Sequence, residues 1–146
     1  MSTESQDRLR RFFLDFFHWL ERQPEIKAVA MVGSHARREA TNASDLDLII
    51  IATDPTKYFA EPGWVGQFGS VSRTRIEHYG KVTSLRVWYA DGLEVEYGLT
   101  NESWAAIPLD EGTEKVISDG MQVLFERNPM LLRGLNIPDV DNKGSH

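Results

Sequence analysis

Asp45 and Asp47, in Ser44-Asp45-Leu46-Asp47-Leu48, have the most chemistry to offer in this chain. Alternate residues of a strand point to the same face, so two aspartates at a strand start project side by side. Adjacent carboxylates repel each other unless a cation sits between them, and hard divalent ions favour such oxygen ligands. Ten residues intervene between this pair and Gly33-Ser34, which breaks an earlier apolar run. A turn of that kind at a helix start can hold phosphate through backbone N–H groups. Metal and phosphate together point to chemistry on a nucleotide. A third carboxylate is available in Leu93-Glu94-Val95-Glu96-Tyr97-Gly98, where Glu94 and Glu96 share parity and hence a face. Either can join Asp45 and Asp47, a reading preferred to that of a solvated strand face. Gly98 lets a ligand or another backbone approach closely.

These side chains need a scaffold, and the hydrophobic pattern supplies one. Leu9, Phe12, Phe13, Phe16, Phe17 and Leu20 recur at helical spacing, predicting an amphipathic helix over 5–22 that ends near Gln23-Pro24. Its aromatic stripe reads as core, and Trp19 and His18 receive no chemical role. Ile26 to Val32 reads as a strand, His35 to Glu39 as a short helix, and Leu46 to Ala52 as a strand covered on both faces. Asp54 to Gly69 reads as a loop with one helical turn, in which Trp64 and Phe68 are buried anchors in preference to base-stacking surfaces. Val82 to Ala90 and Leu93 to Leu99 flank Asp91-Gly92, a hairpin signal that predicts a type I′ turn. Thr113 to Ser118 reads as helix and Gln122 to Phe125 as strand. The order predicts an α/β (α+β) fold with a mixed sheet packed by helices.

Composition limits the alternatives. The chain has 146 residues, 41% of them hydrophobic and 26% charged, as expected of one globular domain. We assign that domain to 1–138, with its core at 26–127 and a flexible tail at 139–146. A formal charge of −6 argues against nucleic acid as the main partner. The absence of cysteine excludes disulfides, thiolate metal sites and a cysteine nucleophile. The first residues do not form a signal peptide, and no apolar run is long enough to span a membrane. A cytoplasmic location is therefore expected.

The motifs also resemble a known family. Val32-Gly33-Ser34-His35-Ala36-Arg37 followed by Ser44-Asp45-Leu46-Asp47-Leu48 is similar to the signature of the DNA polymerase beta nucleotidyltransferase superfamily. Within it the chain resembles the small bacterial branches, the aminoglycoside-type adenylyltransferases and the minimal nucleotidyltransferases. Arg86 to Glu96 resembles the aminoglycoside 6-adenylyltransferase stretch in which Asp-Gly precedes the third carboxylate. Gly120 to Phe125 looks like the strand that closes such domains. Arg38 stands where a glycine is common, and Glu96 replaces a more frequent aspartate.

The resemblance implies a nucleotidyltransferase fold and transfer of a nucleoside monophosphate, with AMP from ATP as the default, to a hydroxyl group. Asp45, Asp47 and Glu96 would bind two Mg²⁺ ions, and Glu96 would act as general base. Gly33, Ser34, Arg37 and Ser44 would contact the nucleotide. Arg38 reads as a surface charge and His35 as a rim residue. Aminoglycoside-modifying relatives carry a further helical domain. Here the residues after the last predicted strand have room for one short helix at Met130 to Gly134, so no separate C-terminal helical domain is expected. The acceptor surface would then come from a loop, a second copy or a helical partner protein, and the acceptor is a small molecule or that partner. The alternative is a non-catalytic or antitoxin-type nucleotide-binding partner of a helical protein.

Overall fold

Helix α1 (Thr3–Leu20) begins at Ser2, whose hydroxyl accepts from the Ser5 N–H at 3.1 Å. That bond satisfies one of the amides that every helix start leaves unpaired. At the other end the Arg127 guanidinium donates to the carbonyls of Leu20 and Gln23, at 3.2 and 3.1 Å. Both caps set the helix two residues earlier than the predicted 5–22. The computed structural model describes residues 2–40, 45–106 and 109–127. Ser44, the predicted helix at Met130 to Gly134 and the tail at 139–146 lie outside them.

The strands are β1 (Ile26–Val32), β2 (Leu46–Ala52), β3 (Val71–Tyr79), β4 (Val82–Tyr89), β5 (Glu94–Thr100) and β6 (Met121–Glu126). They form one sheet in the order β3-β4-β5-β2-β1-β6, with β2 and β5 parallel and the other neighbours antiparallel. Short helices join them: α2 (Gly33–Ala36), α3 (Thr56–Ala60), a 3₁₀ helix at Pro62–Phe68, another at Glu102–Ala105, and α4 (Glu111–Asp119). This is the α/β (α+β) arrangement expected, a mixed sheet packed by helices.

The two faces of the sheet are covered unequally. On one, Phe12, Phe16 and Leu20 of α1 pack with Leu46, Leu48, Ile50, Leu85, Val87 and Tyr97, all 0–1% exposed. Trp64 stacks on Trp19 with ring centroids 4.7 Å apart and donates its Nε1–H to the Tyr58 carbonyl at 2.8 Å. Phe68 lies edge-on to Phe12 and Phe16. Both are core anchors, as the loop reading favoured. On the opposite face Ala28, Ala30, Ile49 and Ile51 pack under Trp104, with Val116 and Ile117 of α4 alongside. That cover spans β1, β2 and β6. The cover reaches Val82 at the start of β4, and beyond it on this face lie the polar residues Ser84, Arg86, Glu94 and Glu96 of β4 and β5.

Two local expectations are corrected. The sequence reading left 71–79 unassigned, yet it is the edge strand β3, paired with β4 from Val71 to Tyr79. Ser72-Arg73-Thr74-Arg75 lacks a buried alternation because both of its faces are exposed. The Asp91-Gly92 turn is not type I′, which needs positive φ at both central residues. Gly92 has φ +102°, while Asp91 is absent from the positive-φ residues. Gly92 N–H instead donates to the Tyr89 carbonyl at 3.0 Å, a turn centred on Ala90 and Asp91. Arg8 of α1 fixes it by donating to Asp91 Oδ2 at 2.5 Å.

Candidate active site

The parallel pairing of β2 with β5 places Asp47 opposite Glu96. Asp45 lies two residues before Asp47, at the mouth of the same strand. Ligand oxygens of Asp45, Asp47 and Glu96 lie within 4.8 Å of one another. Glu94 sits one step further along the same face and lies outside that cluster. The carboxylate oxygens thus bring Glu96, not Glu94, within ligand distance of both aspartates.

Across β5 the same row continues onto β4, where Arg86 is opposite Glu96 and Trp88 opposite Glu94. Arg86 Nη1 donates to Asp45 Oδ2 at 2.6 Å and to Glu94 Oε2 at 2.7 Å, and Nη2 donates to Glu96 Oε1 at 2.9 Å. Ser84 Oγ donates to the second oxygen of Glu96 at 2.6 Å. Arg75 on β3 is opposite Arg86, and the Arg73 guanidinium lies 4.0 Å from the centre of the Trp88 ring. Sequence reasoning did not single out Arg86. Its signal lay in the hairpin, since counting outward from the turn brings Arg86 against the Glu94–Glu96 face.

Asp47 carries the strain of the cluster. Its carboxyl is pushed up to about 7, first by burial and then by the Glu96 and Asp45 charges, with Arg86 pulling the other way. Its Oδ1 is buried without a hydrogen-bond partner. A desolvated anion with an unsatisfied oxygen costs free energy that a bound cation relieves. The donor set is all oxygen, which suits a hard divalent ion. On Arg86, burial lowers the pKa, but hydrogen bonds to Asp45 and Glu94 outweigh it and the net shift is upward.

The Gly33-Ser34 turn abuts the aspartates. Gly33 has φ +77°, and a Cβ there would lie 2.5 Å from Asp47 Oδ2, so only glycine lets turn and carboxylate meet. Among the described residues the Ser34 hydroxyl has no hydrogen-bond partner. Gln122 on β6 steadies the far end of α2 by donating to the Ala36 carbonyl at 2.9 Å. Arg37 turns toward α4: its Nε donates to Glu39 Oε1 at 2.9 Å and its Nη1 to the Asp119 carbonyl at 3.4 Å. Arg38 is exposed with φ +61°, a conformation that suits glycine, the residue common at this place in the motif. Among the described residues no helix is long and apolar enough to cross a membrane.

Comparison with known proteins bears on the fold and on the family. The chain is similar in structure to an aminoglycoside 6-adenyltransferase from Bacillus subtilis, at 16% identity and TM-score 0.53, over 83% of this chain and 40% of that one. It thus spans two-fifths of that protein's length. A second similar structure is the poly(A) polymerase complex GLD-2–GLD-3, at 19% identity and TM-score 0.48, over 70% of this chain and 36% of that one. No curated protein matches the chain. Residues 10–103 match the sequence profile described as streptomycin adenylyltransferase, a span that takes in α1 from Arg10 onward, both halves of the carboxylate cluster and Arg86. The chain therefore belongs to the streptomycin adenylyltransferase family.

Proposed function

We propose that this chain is a divalent-metal-dependent nucleotidyltransferase that moves AMP from ATP to a hydroxyl of a small molecule or a partner protein. The observation that carries the proposal is the convergence of Asp45, Asp47 and Glu96 around the buried, unpartnered Oδ1 of Asp47. These three residues would hold Mg²⁺, two ions in a site of this type. Bound there, the ions supply charge neutralisation to the triphosphate and to the attacking oxygen.

The protein's own groups do the rest. Gly33 and Ser34 offer backbone N–H groups and a hydroxyl to the β- and γ-phosphates, and Ser44, next to Asp45 in sequence, is assigned a further nucleotide contact. Arg37 would reach the leaving pyrophosphate only by giving up Glu39 and the Asp119 carbonyl. The acceptor approaches over the uncovered face beyond Glu96, where Arg86, Trp88 and Arg73 line the way. Glu96 accepts the proton of the attacking hydroxyl as its oxygen bonds to the α-phosphorus. The bond from that phosphorus to the bridging oxygen breaks, and pyrophosphate leaves with its electrons.

The family's name makes streptomycin the first acceptor to assay. The test follows α-³²P-labelled ATP with Mg²⁺ and streptomycin, then with other aminoglycosides and with proteins that co-purify. Asp47→Asn should reduce label transfer by about 10³-fold or more, a loss of about 4 kcal/mol in transition-state stabilisation. Transfer by the variant at the wild-type rate would overturn the assignment.

A further inference from the structure

We propose that Arg86 is the resident counter-cation of the carboxylate cluster, and that a divalent ion loads by taking Asp45 and Glu96 from it while Glu94 keeps hold of the guanidinium. The proposal rests on the metal-ligand reading of Asp45, Asp47 and Glu96 given above. It adds a role for Arg86 and for Glu94, the carboxylate that this reading leaves unused.

The guanidinium occupies one oxygen of each of two candidate ligands, Asp45 Oδ2 at 2.6 Å and Glu96 Oε1 at 2.9 Å. Ser84 takes the other Glu96 oxygen. Among the described residues the Oδ1 of Asp47 is the ligand oxygen that is both buried and without a partner, and it is placed to receive an ion first. Arginine cannot shed its proton to make way, so it must either stay as a like charge beside the incoming ion or retreat. The structure gives it one place to retreat to. The same Nη1 that bonds Asp45 already bonds Glu94 at 2.7 Å. Release of Asp45 and Glu96 leaves Arg86 paired on the outer side of the site, with the Trp88 ring 5.9 Å from its guanidinium carbon. The Arg86 side chain is only 17% exposed, so water cannot readily substitute for that partner. Glu94 is thus a holder of arginine and not a ligand of the ion.

Mn²⁺ binding to the full chain without nucleotide tests this, read from the electron paramagnetic resonance signal of free Mn²⁺. Arg86→Gln should tighten Mn²⁺ binding at least about tenfold, because a like charge leaves the cluster. A merely structural arginine would give no such gain. Glu94→Gln should weaken binding several-fold in the wild-type background and by much less when combined with Arg86→Gln. Circular dichroism reports on folding. Should Arg86→Gln fail to fold, Arg86→Lys replaces it: an ammonium lacks the fork that spans Asp45 and Glu96, so binding should again tighten. Unchanged or weaker binding on loss of Arg86 overturns the proposal. So does a Glu94→Gln penalty equally large with and without Arg86, which would make Glu94 a direct ligand. Loss of Mn²⁺ binding in every protein, wild type included, would remove the metal-ligand reading itself.

Discussion

Strands β4 and β5 present two chemistries back to back. Leu85, Val87, Val95 and Tyr97 face α1 and are fully buried, whereas Ser84, Arg86, Glu94 and Glu96 point the other way into the charged cluster. Apolar packing on the first face is dense and non-directional, so it fixes where the backbone lies. The second face holds repelling carboxylates at separations they would not choose. Stability and chemistry are therefore divided between the two sides of the same residues' backbone, and each side can be perturbed without the other.

The largest expected effect lies on the sealed face. Phe16, fully buried and stacked between Phe12 and Trp19, should cost about 3–5 kcal/mol on substitution by alanine. Chemical denaturation measures it. The increment in melting temperature from added Mg²⁺ should survive in that variant while the baseline drops. A lost increment would show that the two faces are coupled and would break the comparison.

Next in size is a pH effect on the charged face. Asp47 in the folded, metal-free chain holds its proton up to about 7, against an ordinary value of 3.8. Between those values the folded state binds more protons than the unfolded state, so stability falls as pH rises and the loss is complete above 7. In EDTA the wild type should lose stability relative to Asp47→Asn between about pH 4 and 7, as read from paired denaturation curves. A flat difference would mean that Asp47 is not strained. Saturating Mg²⁺ should flatten the slope, since the ion favours the ionised carboxylate.

The smallest effect belongs to the turn entering the site. Arg38→Gly should stabilise the fold by about 0.5–1 kcal/mol, because glycine meets no steric cost at φ +61° and loses part of that gain to its own entropy. Thermal melts of the variant decide it, and a lower melting temperature would show that the Arg38 side chain contributes contacts outweighing the strain.

What could be read in the sequence follows the same division. The sealed face announced itself through the spacing of Phe12, Phe16 and Leu20 and through the unbroken run Leu46 to Ala52. Gly33-Ser34 and Asp45-Leu46-Asp47 were legible because turn and strand start lie close together in the chain. Strand β3 was not, since its charged residues sit at an edge with both faces exposed and carry no hydrophobic period. The hairpin carried a signal for Arg86 opposite Glu96, but its contact with Asp45 comes from the pairing of β2 with β5, which no local pattern states. The Asp91-Gly92 turn was misjudged for a related reason: Arg8, far away in sequence, selects its geometry. Distance along the chain is the common factor in these last two.

The parallel pairing of β2 with β5 carries a consequence for how the molecule comes together. Asp47 and Glu96 are neighbours in space but roughly fifty residues apart along the chain, and β3 and β4 must be laid out between them. Closing so long a loop costs entropy before any contact repays it, and here the contact being closed joins two like charges. Nothing in the carboxylate cluster can therefore drive the early collapse. The reactive centre is a late product of folding, and substitutions within it should alter the rate of unfolding far more than the rate of folding.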